Sequence, residues 1–113
     1  VWALAADTEA EARRLLKTRE NWRVGFEQGI RAALVTPEDA AARSYTDAER
    51  AVVESLRRKA IVGTAEQVAT RLSELAQRLA LDELVIVTWT FDAAPRHRSY
   101  ELLAAAFDLP STA

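Results

Sequence analysis

Apolar and polar positions divide the chain into alternating strand-like and helix-like stretches. Residues 1–6 (Val-Trp-Ala-Leu-Ala-Ala) form an apolar run without a polar interruption, which is how a strand covered on both faces reads. Thr8 and Glu11 follow at once. A threonine with a glutamate three residues on is a capping box, so a helix is predicted to begin there. Ala12, Leu15, Leu16 and Trp22 then share one broad face at helical spacing. Gly25 and Gly29 weaken helix propensity enough to end or fray that helix. No period dominates from there to Val35.

Three more starts follow. Thr36-Pro37-Glu38-Asp39 combines a hydroxyl cap, proline at the first helical position and acids in the first turn, predicting a short helix to about Arg43. Thr46-Asp47-Ala48-Glu49 is a second capping box, with Val52, Val53, Leu56 and Ala60 inward. Thr64-Ala65-Glu66-Gln67 opens the clearest amphipathic helix, with Val68, Leu72, Leu75 and Leu79 on its stripe and Arg71, Glu74, Gln77 and Arg78 outside it. Residues 84–91 (Leu-Val-Ile-Val-Thr-Trp-Thr-Phe) are β-branched and aromatic and predict a parallel strand buried on both faces. Asp92 and Pro95 introduce a last helix marked by Tyr100, Leu103, Ala104 and Phe107, and residues 110–113 read as a tail. The order is strand (1–6), helical segment with a long excursion (8–60), helix (64–80), strand (84–91), helix (94–108). That is two consecutive βα units in one α/β domain.

Composition narrows the chemistry. The chain has 113 residues, a formal charge of -2, 50% apolar and 28% charged residues, as expected of one small globular domain. Arg13, Arg14, Lys17 and Arg19 are interleaved with Glu9, Glu11 and Glu20. This is the pattern of a solvated helix face rather than a nucleic-acid stripe. With no cysteine and only His97, disulfides, thiolate sites and two-histidine zinc spacings are excluded, and no metal is expected. No Gly-x-Ser-x-Gly elbow is present to hold a serine nucleophile. No apolar run reaches membrane-span length and no signal peptide opens the chain, so the default expectation is the cytoplasm, without membrane contact. The chain contains no methionine and opens on a strand. Termini usually fray, so a piece cut from a longer protein is expected rather than a chain that has lost its initiator methionine. A two-stranded parallel sheet leaves both edges open. Neighbouring segments of a parent protein or identical copies must cover them, so the chain is expected to be at least a homodimer.

Several segments carry a resemblance. Residues 6–12 (Ala-Asp-Thr-Glu-Ala-Glu-Ala), 61–68 (Ile-Val-Gly-Thr-Ala-Glu-Gln-Val), 82–88 (Asp-Glu-Leu-Val-Ile-Val-Thr) and 98–104 (Arg-Ser-Tyr-Glu-Leu-Leu-Ala) resemble, in order and spacing, the C-terminal part of luciferase-like flavin-dependent monooxygenases. Ala65 stands where proline is frequent in that family. The resemblance implies the last two βα units of a (β/α)8 TIM barrel, helix-rich, with two short strands that need partners. Residues 22–46 would be an insertion after the seventh strand. A whole barrel is about three times this length. It would bind reduced FMN supplied by a flavin reductase, or a deazaflavin coenzyme in some relatives, and with FMN would use O2 to oxygenate an organic substrate. Most of the flavin contacts would lie on strands this chain lacks, so the isolated chain is expected to be inactive and to hold no cofactor.

Within that frame Thr88, Thr90 and Phe91 stand where a barrel presents side chains to flavin or substrate, although ordinary strand-end packing would use the same residues. Phe91 departs from a polar residue, often histidine, expected near this position. Trp89 reads better as buried against a helix than as stacked on flavin. His97, between Arg96 and Arg98, reads as part of an exposed basic cluster before general acid–base work. Asp7 and Asp92 read as helix caps, and Gly63 as room for a turn. The remaining alternative is a small self-associating module with no enzymatic role.

Overall fold

Four threonines set the helix starts in the computed structural model, which describes residues 1–110; of the expected tail at residues 110–113, all but Pro110 lies outside the described residues. Thr8 precedes α1 (Glu9–Glu27), Thr36 precedes α2 (Pro37–Ala42), Thr46 precedes α3 (Asp47–Lys59) and Thr64 precedes α4 (Ala65–Arg78). Each hydroxyl accepts from the backbone N–H three residues on, satisfying a donor the helix itself cannot. At Thr46 and Thr64 the box closes in both directions. At Thr8 it stays half-made, because Arg14 takes both Glu11 carboxylate oxygens at 2.8 Å. The last helix, α5 (Ala93–Ala106), follows Asp92 without a side-chain cap. α1 runs through Gly25 and ends at Glu27, with Gly29 at φ 81° turning the chain away.

Two strands, β1 (Ala3–Ala5) and β2 (Ile61–Gly63), pair in parallel with Ala3 opposite Ile61, Leu4 opposite Val62 and Ala5 opposite Gly63. The pleat sends Leu4 and Val62 to one face, against Ala12, Leu15 and Leu16 of α1. It sends Ala3, Ala5 and Ile61 to the other, against Val68 and Leu72 of α4 and Leu103 of α5. Helices therefore cover both faces, and every residue of the ladder is buried. A buried leucine or valine here contributes about 1.5–3 kcal/mol over an exposed one, and Leu4, Leu16, Val68 and Leu72 are the large ones most completely enclosed.

This corrects two expectations. Residues 84–91 are not a continuous buried strand. They touch β1 through one parallel bridge, Trp2 to Val87, in which Ala3 N–H donates to the Val87 carbonyl at 3.2 Å and Val87 N–H to the Val1 carbonyl at 2.8 Å. Leu84 and Ile86 pack inward while Val85 and Val87 are 67% and 50% exposed. The run is apolar on both sides, but only one side has a partner. The second strand is instead Ile61–Gly63, a segment read only as the approach to a helix. The barrel-fragment architecture, with two strands in need of partners, is likewise replaced. The described residues form a compact, helix-rich unit whose two strands partner each other under helices on both faces.

The long excursion is pinned rather than loose. Thr18 donates to the Val35 carbonyl at 2.9 Å, and Arg43 reaches Asn21 at 2.8 Å and Glu49 at 2.7 Å. Glu20, 3% exposed, receives a two-pronged contact from Arg57 at 2.9 Å on each oxygen. A buried carboxylate needs such a partner.

Candidate functional site

Parallel strands that feed directly into helices bring strand ends and helix starts to one end of the molecule. Here the ends of β1 and β2 meet the starts of α1, α4 and α5. Gln67 at the start of α4 donates to Glu9 at the start of α1 at 3.3 Å. Arg98 of α5 pairs with Asp7, just past β1, at 2.7 Å. The fully buried Ser99 hydroxyl accepts from Ala5 N–H at 2.9 Å and fixes α5 against the strand. Between them lies a cleft of about 270 Å3, lined by Ala5, Ala6, Asp7, Leu15, Pro95 and Arg98 among others.

The charges at this end are satisfied. The hydrogen bonds from Arg98 hold the Asp7 carboxyl below the usual range. Gln67, then Arg13, does the same to Glu9, and Asp7 in turn raises the Arg98 guanidinium. Such groups stay ionised near neutrality and serve as struts, not as proton donors or acceptors. Asp7 is thus an ion-pair partner rather than the expected cap.

The residues singled out from the sequence are only partly brought together. Thr88 is buried; its hydroxyl donates to the Ala3 carbonyl at 2.5 Å and its N–H donates to the Tyr100 hydroxyl at 3.1 Å. The Thr90 hydroxyl donates to the Asp92 carbonyl. Neither lines the clefts described here, and Phe91, 46% exposed, alone presents its ring to the surface. Trp89 sits edge-on between Trp2 and Trp22, with ring centres 6.0 and 5.5 Å away. His97 is exposed on α5. The room needed at Gly63 is real: its φ is 152° and a Cβ there would collide with the Gln67 amide oxygen.

These residues do not fit a flavin by themselves. Both threonine hydroxyls are spent on backbone carbonyls, and the cleft at this end is smaller than the roughly 300–1,000 Å3 of ordinary ligand pockets. Among the described residues no group of three or more acidic or histidine side chains could hold a metal ion. No helix among them is long and apolar enough to cross a membrane.

A larger cleft of about 580 Å3 lies where the strands begin, between α1 and α3. Arg19, read from the sequence as part of a solvated face, lines it and stacks on Trp2 with its guanidinium 4.1 Å from the ring centre. Burial, then repulsion from Arg23, lowers its pKa to about 10. The signal was available. Arg19 falls four residues after Leu15 and three before Trp22, on the inward stripe of α1.

The site and fold define a helix-covered parallel α/β unit. Over 108 residues the chain is 35% identical to the uncharacterized protein YwcH of Bacillus subtilis (strain 168), covering 95% of this chain and 32% of that protein. It is 25% identical over 107 residues to the uncharacterized protein YceB of the same organism, again 95% of this chain and 32% of that one. The crystal structure of apo-MsnO8 is similar with a TM-score of 0.84 and 28% identity, over 99% of this chain and 34% of that one. The chain thus spans about a third of the length of the curated relatives it matches. No family model matches it. The resemblance to luciferase-like monooxygenases is corrected on that finding. Its segments also have local explanations: Thr64 and Gln67 close a capping box, Gly63 leaves room for Gln67, and Asp7 pairs with Arg98.

Proposed function

We propose that this chain is a structural portion of a larger flavin-dependent oxidoreductase that uses reduced FMN and O2 to oxygenate an organic substrate, and that the chain alone is catalytically silent. The observation that carries the structural half is its extent: it aligns along 95% of its length with only 32% of each Bacillus subtilis relative. The flavin half rests on no single side chain of this chain and is tested on the joined protein. A deazaflavin in place of FMN, a separate flavin reductase and a cytoplasmic setting belong to the same reading. In it, Phe91 offers an apolar wall beside the strand ends, with Thr88 and Thr90 holding the backbone that carries it. A flavin must be positioned and kept from water, and a small open cleft with paired charges does neither. Titration of the chain with FMN, followed by flavin fluorescence, is expected to give no saturable change up to about 1 mM. Tight binding overturns the claim of silence. A protein joining this chain to counterparts of the remaining two thirds of its relatives should bind reduced FMN, and failure there overturns the flavin reading.

The open edge beside Val87 favours a second reading, self-association. Val85, Val87 and Phe91 are 67%, 50% and 46% exposed, and an uncovered apolar edge invites pairing with another copy. Sedimentation velocity at micromolar concentration is expected to give a dimer or larger; a monomer removes this reading.

A further inference from the structure

The cleft between α1 and α3 lies at the opposite end of the sheet from the strand-end site and is independent of the flavin reading. Its wall holds Arg19, Arg23 and Lys59 against a single acid, Glu27, and that acid is engaged by Arg23 at 2.8 Å. Arg19 and Lys59 make no ion pair among the described residues. The nearest acid in sequence to Arg19, Glu20, is committed to Arg57. Arg19 is instead laid on Trp2, and Trp89 stands 5.8 Å from its guanidinium. Stacking occupies the face of a guanidinium and leaves its edge N–H donors, the fork that suits an oxyanion. Trp2 lines the same cleft, and its buried indole N–H finds no acceptor among the described residues. Val52 and Leu56 add an apolar wall.

We propose that this cleft binds a phosphate group, with the Arg19 guanidinium edge as the two-pronged contact and Lys59 as the second cation. A dianion suits a wall with two cations left unpaired better than a single carboxylate does. The phosphate could be free or carried on an apolar ester, and the test separates these.

Tryptophan emission reports directly, because Trp2 and Trp89 both flank Arg19. The full chain is titrated with inorganic phosphate and with phenyl phosphate, at constant ionic strength against sodium chloride. A saturable change is expected that weakens about tenfold in Arg19→Gln and in Lys59→Gln and is unaltered in Arg58→Gln. Arg58 is exposed on α3 outside the cleft and carries the same charge. Lys59 is exposed, so its variant keeps the core intact if Arg19→Gln loosens the packing on Trp2. Tighter binding of phenyl phosphate supports an ester ligand, and equal or weaker binding supports the free ion. A response reproduced by chloride, or one weakened equally in Arg58→Gln, overturns the site and leaves only a general charge effect.

Discussion

Two stretches flank β1, one on each edge, and they are held in different ways. Ile61–Gly63 is three residues long, pairs along its whole length and is buried throughout. Residues 84–91 are longer and more apolar, yet they contribute one bridge and leave Val85 and Val87 in water. The longer stretch is secured instead by side chains: Thr88 to the Ala3 carbonyl, Tyr100 to the Thr88 backbone, and α5 to β1 through Ser99 and Arg98. Apolar character makes a segment able to be a strand, whereas cover on the second face and a partner along the backbone make it one.

The largest expected effect breaks the ladder side of this comparison. Leu4 is fully buried at the centre of β1, so Leu4→Ala should cost about 2–5 kcal/mol, read as a lower urea midpoint with an unchanged slope. Val85→Ala on the other flank should change stability by less than about 0.5 kcal/mol. Comparable losses at the two sites would erase the distinction.

Gly63 comes next. At φ 152°, with the Gln67 amide oxygen where a Cβ would stand, Gly63→Ala should cost about 1–3 kcal/mol. Gln67→Ala removes the collision but not the dihedral strain, and it also opens the capping box at Thr64, so Gly63→Ala should cost less when measured against Gln67→Ala alone. An equal cost in both backgrounds would mean that the collision contributes nothing.

Thr88→Val probes the side-chain anchoring directly. It keeps the shape and removes the hydroxyl that the Ala3 carbonyl accepts from, for an expected loss of about 1 kcal/mol. A silent substitution would mean that the Thr88 hydroxyl contributes nothing to anchoring residues 84–91.

What could be read in advance follows the same division. Local chemistry was legible. Thr8, Thr36, Thr46 and Thr64 announce their helices because a cap depends on residues three apart, and Val68 with Leu72 marks a buried stripe because a helix has its own period. Long-range pairing was not. Ile61–Gly63 is too short to carry a strand pattern, and only its register with Ala3–Ala5 makes it one. At the strand-end site, Thr88, Thr90 and Phe91 stand together in the sequence, but nothing local to residues 88–91 tells that Thr88 is committed to Ala3, 85 positions away. Asp7 reads as a cap in the sequence because its partner, Arg98, is 91 positions distant. Arg19 was hidden by composition: surrounded by acids in sequence, it looked solvated, although its position on the Leu15–Trp22 stripe pointed inward.

The smallest effect concerns the ion pair that ties α5 to the end of β1. Asp7 and Arg98 are both well exposed, so salt screens the pair and it adds little to global stability. Its protonation is nevertheless readable. Because Arg98 lowers the folded-state pKa of Asp7 below 3.8, the unfolded chain binds the proton more readily in that range. The stabilisation is therefore present above the unfolded value and fades as pH falls through the lower, folded one. A carboxyl chemical-shift titration should place the Asp7 midpoint below 3.8, moving up toward the ordinary range in Arg98→Gln and also in high salt. Ser99 remains bonded to Ala5 in that variant, so α5 should stay docked and the melting temperature nearly unchanged. If the midpoint does not move, Arg98 is not the group that sets it. If α5 undocks, residues 84–91 depend on this one surface pair more than on Ser99 and Thr88 together.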